Sequence, residues 1–141
     1  MSKSRIRYKG KQPKDIESAL KRAVGIAFFE VVPELGREFT VQIQSNVWPW
    51  PGKTKRKNGR EAGEIRDIVD LGDLKRSQEN RRIDNFTWRW TWNVDYSKVV
   101  HNGAVLKQGG NYPARPWTKT ALRELNPDKI LSDIIRRELD G

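Results

Sequence analysis

The sequence predicts an α+β chain: a small antiparallel sheet packed by an N-terminal and a C-terminal helix, with a long basic loop and a basic N-terminal arm. Three observations predict it. Apolar residues recur at helical spacing near both ends, two stretches in between alternate apolar with polar residues, and the positive charge is concentrated in two segments. A length of 141 residues suits one domain with a modest core, so residues 13–141 read as a single α+β domain behind a flexible arm at 1–12.

The elements follow in order. Pro13-Lys14-Asp15 opens a helix, with proline in the first turn and an acid beside it. Ile16, Leu20, Val24, Ala27, Phe28 and Val31 share one face of it, and Pro33 and Gly36 are expected to end it. Residues 39–48, FTVQIQSNVW, place Phe39, Val41 and Ile43 on one side and Thr40, Gln42 and Gln44 on the other, the pattern of a half-buried strand. WPWPGKTKRKNGREAGEIR has two prolines, three glycines and no periodicity, and reads as a long loop of the kind that carries function. Residues 67–77, DIVDLGDLKRS, form a turn-rich bridge, and residues 77–83 a polar edge strand. Asp84-Asn85 then turns the chain into NFTWRWTWNV, where Phe86, Trp88, Trp90, Trp92 and Val94 point one way and Thr87, Arg89, Thr91 and Asn93 the other. DYSKVVHN reads as one or two helical turns capped by Gly103. A glycine-rich loop over 104–115 ends in YPARP, and Pro116 starts a helix running to about Leu125. Asn126-Pro127-Asp128 begins a last helix, with Ile130, Leu131, Ile134, Ile135 and Leu139 on one face.

The formal net charge is +10. Residues 1–22 contribute +6 and residues 48–60 contribute +5, so the rest of the chain is balanced at −1. Charge placed this way attracts phosphate or acidic protein surfaces. There is no cysteine, hence no disulfide framework or thiolate metal site. No apolar run approaches the roughly 20 residues of a membrane helix, and the basic N-terminus leads into no apolar signal core, so a cytoplasm-like compartment is expected.

Catalysis is not expected. The one histidine, His101, follows Val99-Val100 at the end of a short helix and reads as structural. No Gly-x-Ser-x-Gly is present, and Gly52-Lys53-Thr54 lacks the first glycine of a phosphate loop. Asp67, Asp70 and Asp73 fall three apart, but Gly72 and the turn-rich composition favour turn and capping roles over a magnesium site. No metal and no cofactor is therefore expected.

The tryptophans decide between two functions. Single-strand binders stack bases on exposed rings beside cations. Here the same-face neighbours of Trp88, Trp90 and Trp92 are Phe86 and Val94, both apolar, so Phe86 and the three indoles read as the inner face of the core sheet. Trp48 and Trp50 have no alternating partner. With Lys53, Lys55, Arg56, Lys57 and Arg60 they form an aromatic and basic loop expected to project and contact another subunit, a partner protein or DNA phosphate.

Several segments resemble a known family. RDIVDLGDLKRS resembles the "(P)vDTGxLrxS" bridge of the head–tail joining, or tail-completion, proteins of long-tailed bacteriophages; Asp70, Gly72, Leu74 and Ser77 carry the match. VDYSKVVHN is similar to the family's "YAxxVExG" segment, through Tyr96, and YPARPWTKTAL to its "mPARPFlrpAl" motif, through Pro113, Ala114, Arg115, Pro116 and Trp117. WPWPGKTKRKNG resembles the Trp/Arg-rich loop of one subgroup. The order of motifs agrees over nearly the whole chain beyond residue 12, with Leu71 in place of the usual threonine and His101 where an acid is common. The resemblance implies an α+β virion protein of the neck. It would form a ring with copies of itself, usually of six subunits, between a connector or stopper on the head side and the tail tube or terminator on the other. DNA would pass through the centre without sequence-specific binding. In that reading the protein assembles in the host cytoplasm, Arg115 caps carbonyls or pairs with a carboxylate, and the basic loop and arm reach neighbours. The alternative is a small basic nucleic-acid-binding protein, which would expose Trp88, Trp90 and Trp92. A nuclease using Asp67 and Asp70 is a third reading.

Overall fold

The computed structural model describes residues 13–50, 54–56, 59–69, 72–105, 107 and 109–140. The expected arm at 1–12, Lys53, Lys57 and Asp70 lie outside the described residues. The chain is α+β, with five helices and four two-stranded antiparallel sheets among the described residues.

Helix α1 (Pro13–Gln44) is the spine. At 32 residues it is about 48 Å long at 1.5 Å per residue. It runs through both of its expected terminators and through residues 39–44 of the strand expected at 39–48, which correct to helix. The physical reason lies in a second periodicity: Leu35, Phe39 and Ile43 recur at spacing four and are buried, while Val41, their partner in the strand reading, is exposed. Pro33 is tolerated because it lies on the exposed side with Phe29, so the carbonyl it cannot satisfy faces water. Gly36 has a different task. A Cβ there would sit 2.7 Å from Cη2 of Trp90, so the missing side chain lets an indole lie directly on the helix backbone.

The loop after α1 is folded back on itself. β1 (Trp48–Pro49) pairs with β4 (Ile65–Arg66), and between them β2 (Thr54–Lys55) pairs with β3 (Glu61–Ala62). The long structureless loop of the sequence reading thus corrects to two short ladders. The bridge then makes one helical turn, α2 (Asp73–Arg76), begun by Gly72 at φ 81°. Leu74 drops into the core, and the Ser77 hydroxyl donates to the Leu74 carbonyl at 2.7 Å.

β5 (Gln78–Asp84) and β6 (Thr87–Trp92) form an antiparallel ribbon with one register shift near its tip. Its indole face lies on α1: Phe39 meets Trp90 and Trp92 edge-on at 5.2 and 4.9 Å, and Phe28 meets Trp88 at 6.1 Å. The three tryptophans are half-buried, not fully enclosed, because the ribbon has no third strand among the described residues. Phe86 departs from the expected core face; it sits exposed in the turn.

α3 (Ser97–Asn102) ends at Gly103, as its sequence predicts. The expected glycine-rich loop contains a further small ladder, β7 (Ala104–Val105) with β8 (Asn111–Tyr112). α4 (Trp117–Leu125) and α5 (Pro127–Asp140) pack on α1 and are joined at Asn126 in the left-handed conformation, φ 50°. The main core gathers Leu35, Phe39, Ile43, Trp48, Leu74 and Trp117. A smaller one, Ala27, Val31 and Ile134, sits between α1 and α5, leaving Ile16 and Leu20 of the expected apolar face exposed.

Candidate functional site

Trp48 and Trp50 straddle Pro49; a continuing strand would send both side chains to one face, but β1 ends at Pro49 and burial separates them. Trp48 does not project. It is 6% exposed, and its indole N–H donates to the Gln42 carbonyl at 2.8 Å, satisfying a carbonyl at the end of α1. Trp50 is half-buried and lies between two guanidinium groups, Arg66 at 4.9 Å and Arg115 at 4.8 Å from its ring, with Tyr112 edge-on at 4.8 Å.

These residues wall a cleft of about 380 Å³, lined also by Thr54 and Arg56. Arg66, buried in β4, holds the ladders together: Nε donates to the Gly63 carbonyl at 2.8 Å, Nη1 to the Thr54 hydroxyl at 2.7 Å and Nη2 to the Ala62 carbonyl at 3.1 Å. Arg56 reaches back across the loop to Asp67, with Nη1 2.6 Å from Oδ1 and Nη2 3.0 Å from the carbonyl, and also donates to the Val69 carbonyl. Arg115 is 6% exposed. Its Nη2 donates to the Tyr112 hydroxyl at 3.2 Å, and its Nε has no hydrogen-bond partner. The expected carbonyl-capping or carboxylate-pairing role of Arg115 is thus replaced by a phenol and two aromatic rings. Burial lowers the pKa of Arg115, and the phenol of Tyr112 opposes that shift. Burial also lowers that of Arg66, followed by the charge of Arg56.

Three of the sequence segments singled out above meet at this cleft. Gly72 and Leu74 of the bridge, Tyr96 before α3, and Arg115 all line it. Pro113 and Ala114 run past Gly103, whose missing Cβ would fall 2.6 Å from the Tyr112 carbonyl. The Arg115 amide donates to the Val100 carbonyl at 2.9 Å, and Pro116 then delivers Trp117 into the core. Trp117 meets Trp92 at 5.5 Å and His101 at 4.9 Å. His101 is hydrogen-bonded to Asn102 and Thr118 at 2.7 and 2.6 Å.

The remaining predicted contact residues scatter. Arg60 is exposed at the base of the β2–β3 turn, where its carbonyl accepts from the Arg56 amide at 2.9 Å; Lys55 stands in β2, and Lys53 and Lys57 lie outside the described residues. Of the three aspartates, Asp67 is committed to Arg56 and Asp73 to Arg76 at 2.5 Å, while Asp70 lies outside the described residues. Among the described residues no group of three histidine, aspartate or glutamate side chains could hold a metal. Sequence reasoning missed Arg66 and Tyr112 as site residues. The one available signal was an arginine between Ile65 and Asp67 opposite a tryptophan-proline loop, and pairing of β1 with β4 is needed to see it.

No family model, no curated protein and no solved structure matches this chain. No helix among the described residues is long and apolar enough to cross a membrane.

Proposed function

We propose that this chain is a structural subunit of a bacteriophage neck: a head–tail joining or tail-completion protein that forms a ring and links the connector to the tail tube. One observation carries the reading. The bridge, the tyrosine segment and the Pro-Ala-Arg-Pro segment, which supply the family resemblance and lie far apart in sequence, converge on one cleft around Arg115. A closed ring needs two different patches on each subunit.

Mass photometry of the purified chain, alone and with its head-side neighbour, tests the proposal. The expected result is a defined multimer near six subunits, formed alone or on adding that neighbour. A chain that stays monomeric in both samples overturns it.

The nucleic-acid reading draws on a separate feature. Arg81 and Arg89 are cross-strand partners on the exposed face of the β5–β6 ribbon, and like charges in that position repel. The indoles that would stack bases, however, face α1 instead. If this reading holds, affinity for single-stranded DNA falls steeply with salt and collapses in Arg81→Ala/Arg89→Ala.

A further inference from the structure

Arg115 is a buried cation whose partners do not balance its charge. Among the described residues no carboxylate reaches it. Asp73, the acid among the described residues that lines the cleft, is engaged by Arg76, and Asp67 by Arg56. A buried charge without a counterion is costly, and natural proteins pair it or coordinate it. Here the opposite has been built: Arg56 and Arg66 stand in the same cleft wall, and each disfavours the charge on Arg115. The guanidinium is nevertheless held rigidly. Trp50 covers one face, Tyr112 grips Nη2, and the Arg115 amide is anchored to Val100.

We propose that the cleft around Arg115 is an oxyanion-binding site, taking a carboxylate or phosphate group from outside the chain. The Arg115 guanidinium borders the cleft beside Arg56 and Arg66, and its planar fork is the geometry that receives oxyanion oxygens; its Nε is enclosed without an acceptor, which leaves the cation further under-compensated. Trp50 and Tyr112 exclude water on the flanks, so a charge-assisted hydrogen bond there counts for more than on the surface. The volume, about 380 Å³, admits a side-chain-sized group and not a duplex, whose phosphates are flanked by sugars on both sides. This inference is independent of the ring: it holds for a monomer or a multimer.

The test is thermal unfolding of the full chain with sodium glutarate or inorganic phosphate, each at matched ionic strength against chloride. One or both probes should raise the midpoint in proportion to the logarithm of their concentration above Kd, by about 4 °C at tenfold excess over Kd. The tighter probe identifies whether the natural group is a carboxylate or a phosphate. Arg115→Lys keeps the charge and removes the fork, and it should abolish the rise. Arg115→Met keeps the buried stem without a charge, so it folds even where lysine does not, and should abolish it too. No rise beyond the chloride control with either probe overturns the proposal. So does a rise that survives in Arg115→Met, which would mark binding elsewhere on a basic surface.

Discussion

Trp88, Trp90 and Trp92 alternate along a ribbon and all three turn the same face to α1, whereas Trp48 and Trp50, also two residues apart, part company: one is a core residue bonded to the end of α1 and the other is held between two arginines. In the ribbon, strand periodicity assigns the face and the helix supplies a partner for every ring. In the loop there is no long ladder to impose one face, so each ring takes whatever the fold brings to it. Identical side chains at identical spacing thus serve packing in one region and a charged cleft in the other.

The largest test of this contrast is at Trp48. Trp48→Ala removes a buried ring and leaves the Gln42 carbonyl without its donor, so it should cost about 3–5 kcal/mol in urea unfolding. A cost below about 1 kcal/mol would return Trp48 to the projecting loop of the sequence reading.

A sharper test compares two glycines of one helix. Gly25→Ala meets nothing within 4 Å and should stabilise by up to about 1 kcal/mol, as helix propensity alone dictates. Gly36→Ala places a methyl against Trp90 and should instead destabilise by about 1–3 kcal/mol. That penalty should vanish in a Trp90→Ala background, because the clash has lost its second party; a double-mutant cycle measures it. Equal effects at the two glycines would mean that the ribbon does not rest on α1 at Trp90.

Within the ribbon the effects should be graded. Trp88 touches Phe28 near the tip and lies outside the main core, so Trp88→Ala should cost about 1 kcal/mol, well below Trp92→Ala, whose ring contacts both Phe39 and Trp117. The smallest effect belongs to the cleft: Arg115→Met should change stability by less than about 1 kcal/mol, since the lost charge was poorly compensated. A loss of several kcal/mol in denaturant unfolding would show that Arg115 is a structural keystone.

Much of the architecture was legible. The tryptophan strand, its polar partner, the short helix closed by Gly103 and the two C-terminal helices all carry local signals that their environment respects. The second half of α1 was not, because FTVQIQ satisfies both periods: Phe39 and Ile43 are four apart on a helix, and with Val41 they also alternate as a strand would. Burial of Phe39 and Ile43 against Trp48 and the ribbon, which the chain reaches only later, tips the balance to helix. The cleft was half legible. Trp50, Arg56 and Arg115 stood out by composition or motif, but Arg66 and Tyr112 join them only once β1 pairs with β4 and β7 with β8.

By itself the sequence determined the fold class, the order of most elements and the inward face of the tryptophan strand, because these follow from local periodicity and from glycine and proline geometry. Only the tertiary structure decided where α1 ends, which of Trp48 and Trp50 is core, and that Gly36 is a seat for an indole and not a stop. Each of those turns on long-range contacts, and a chain read one residue at a time holds no record of which distant surface will arrive to make them.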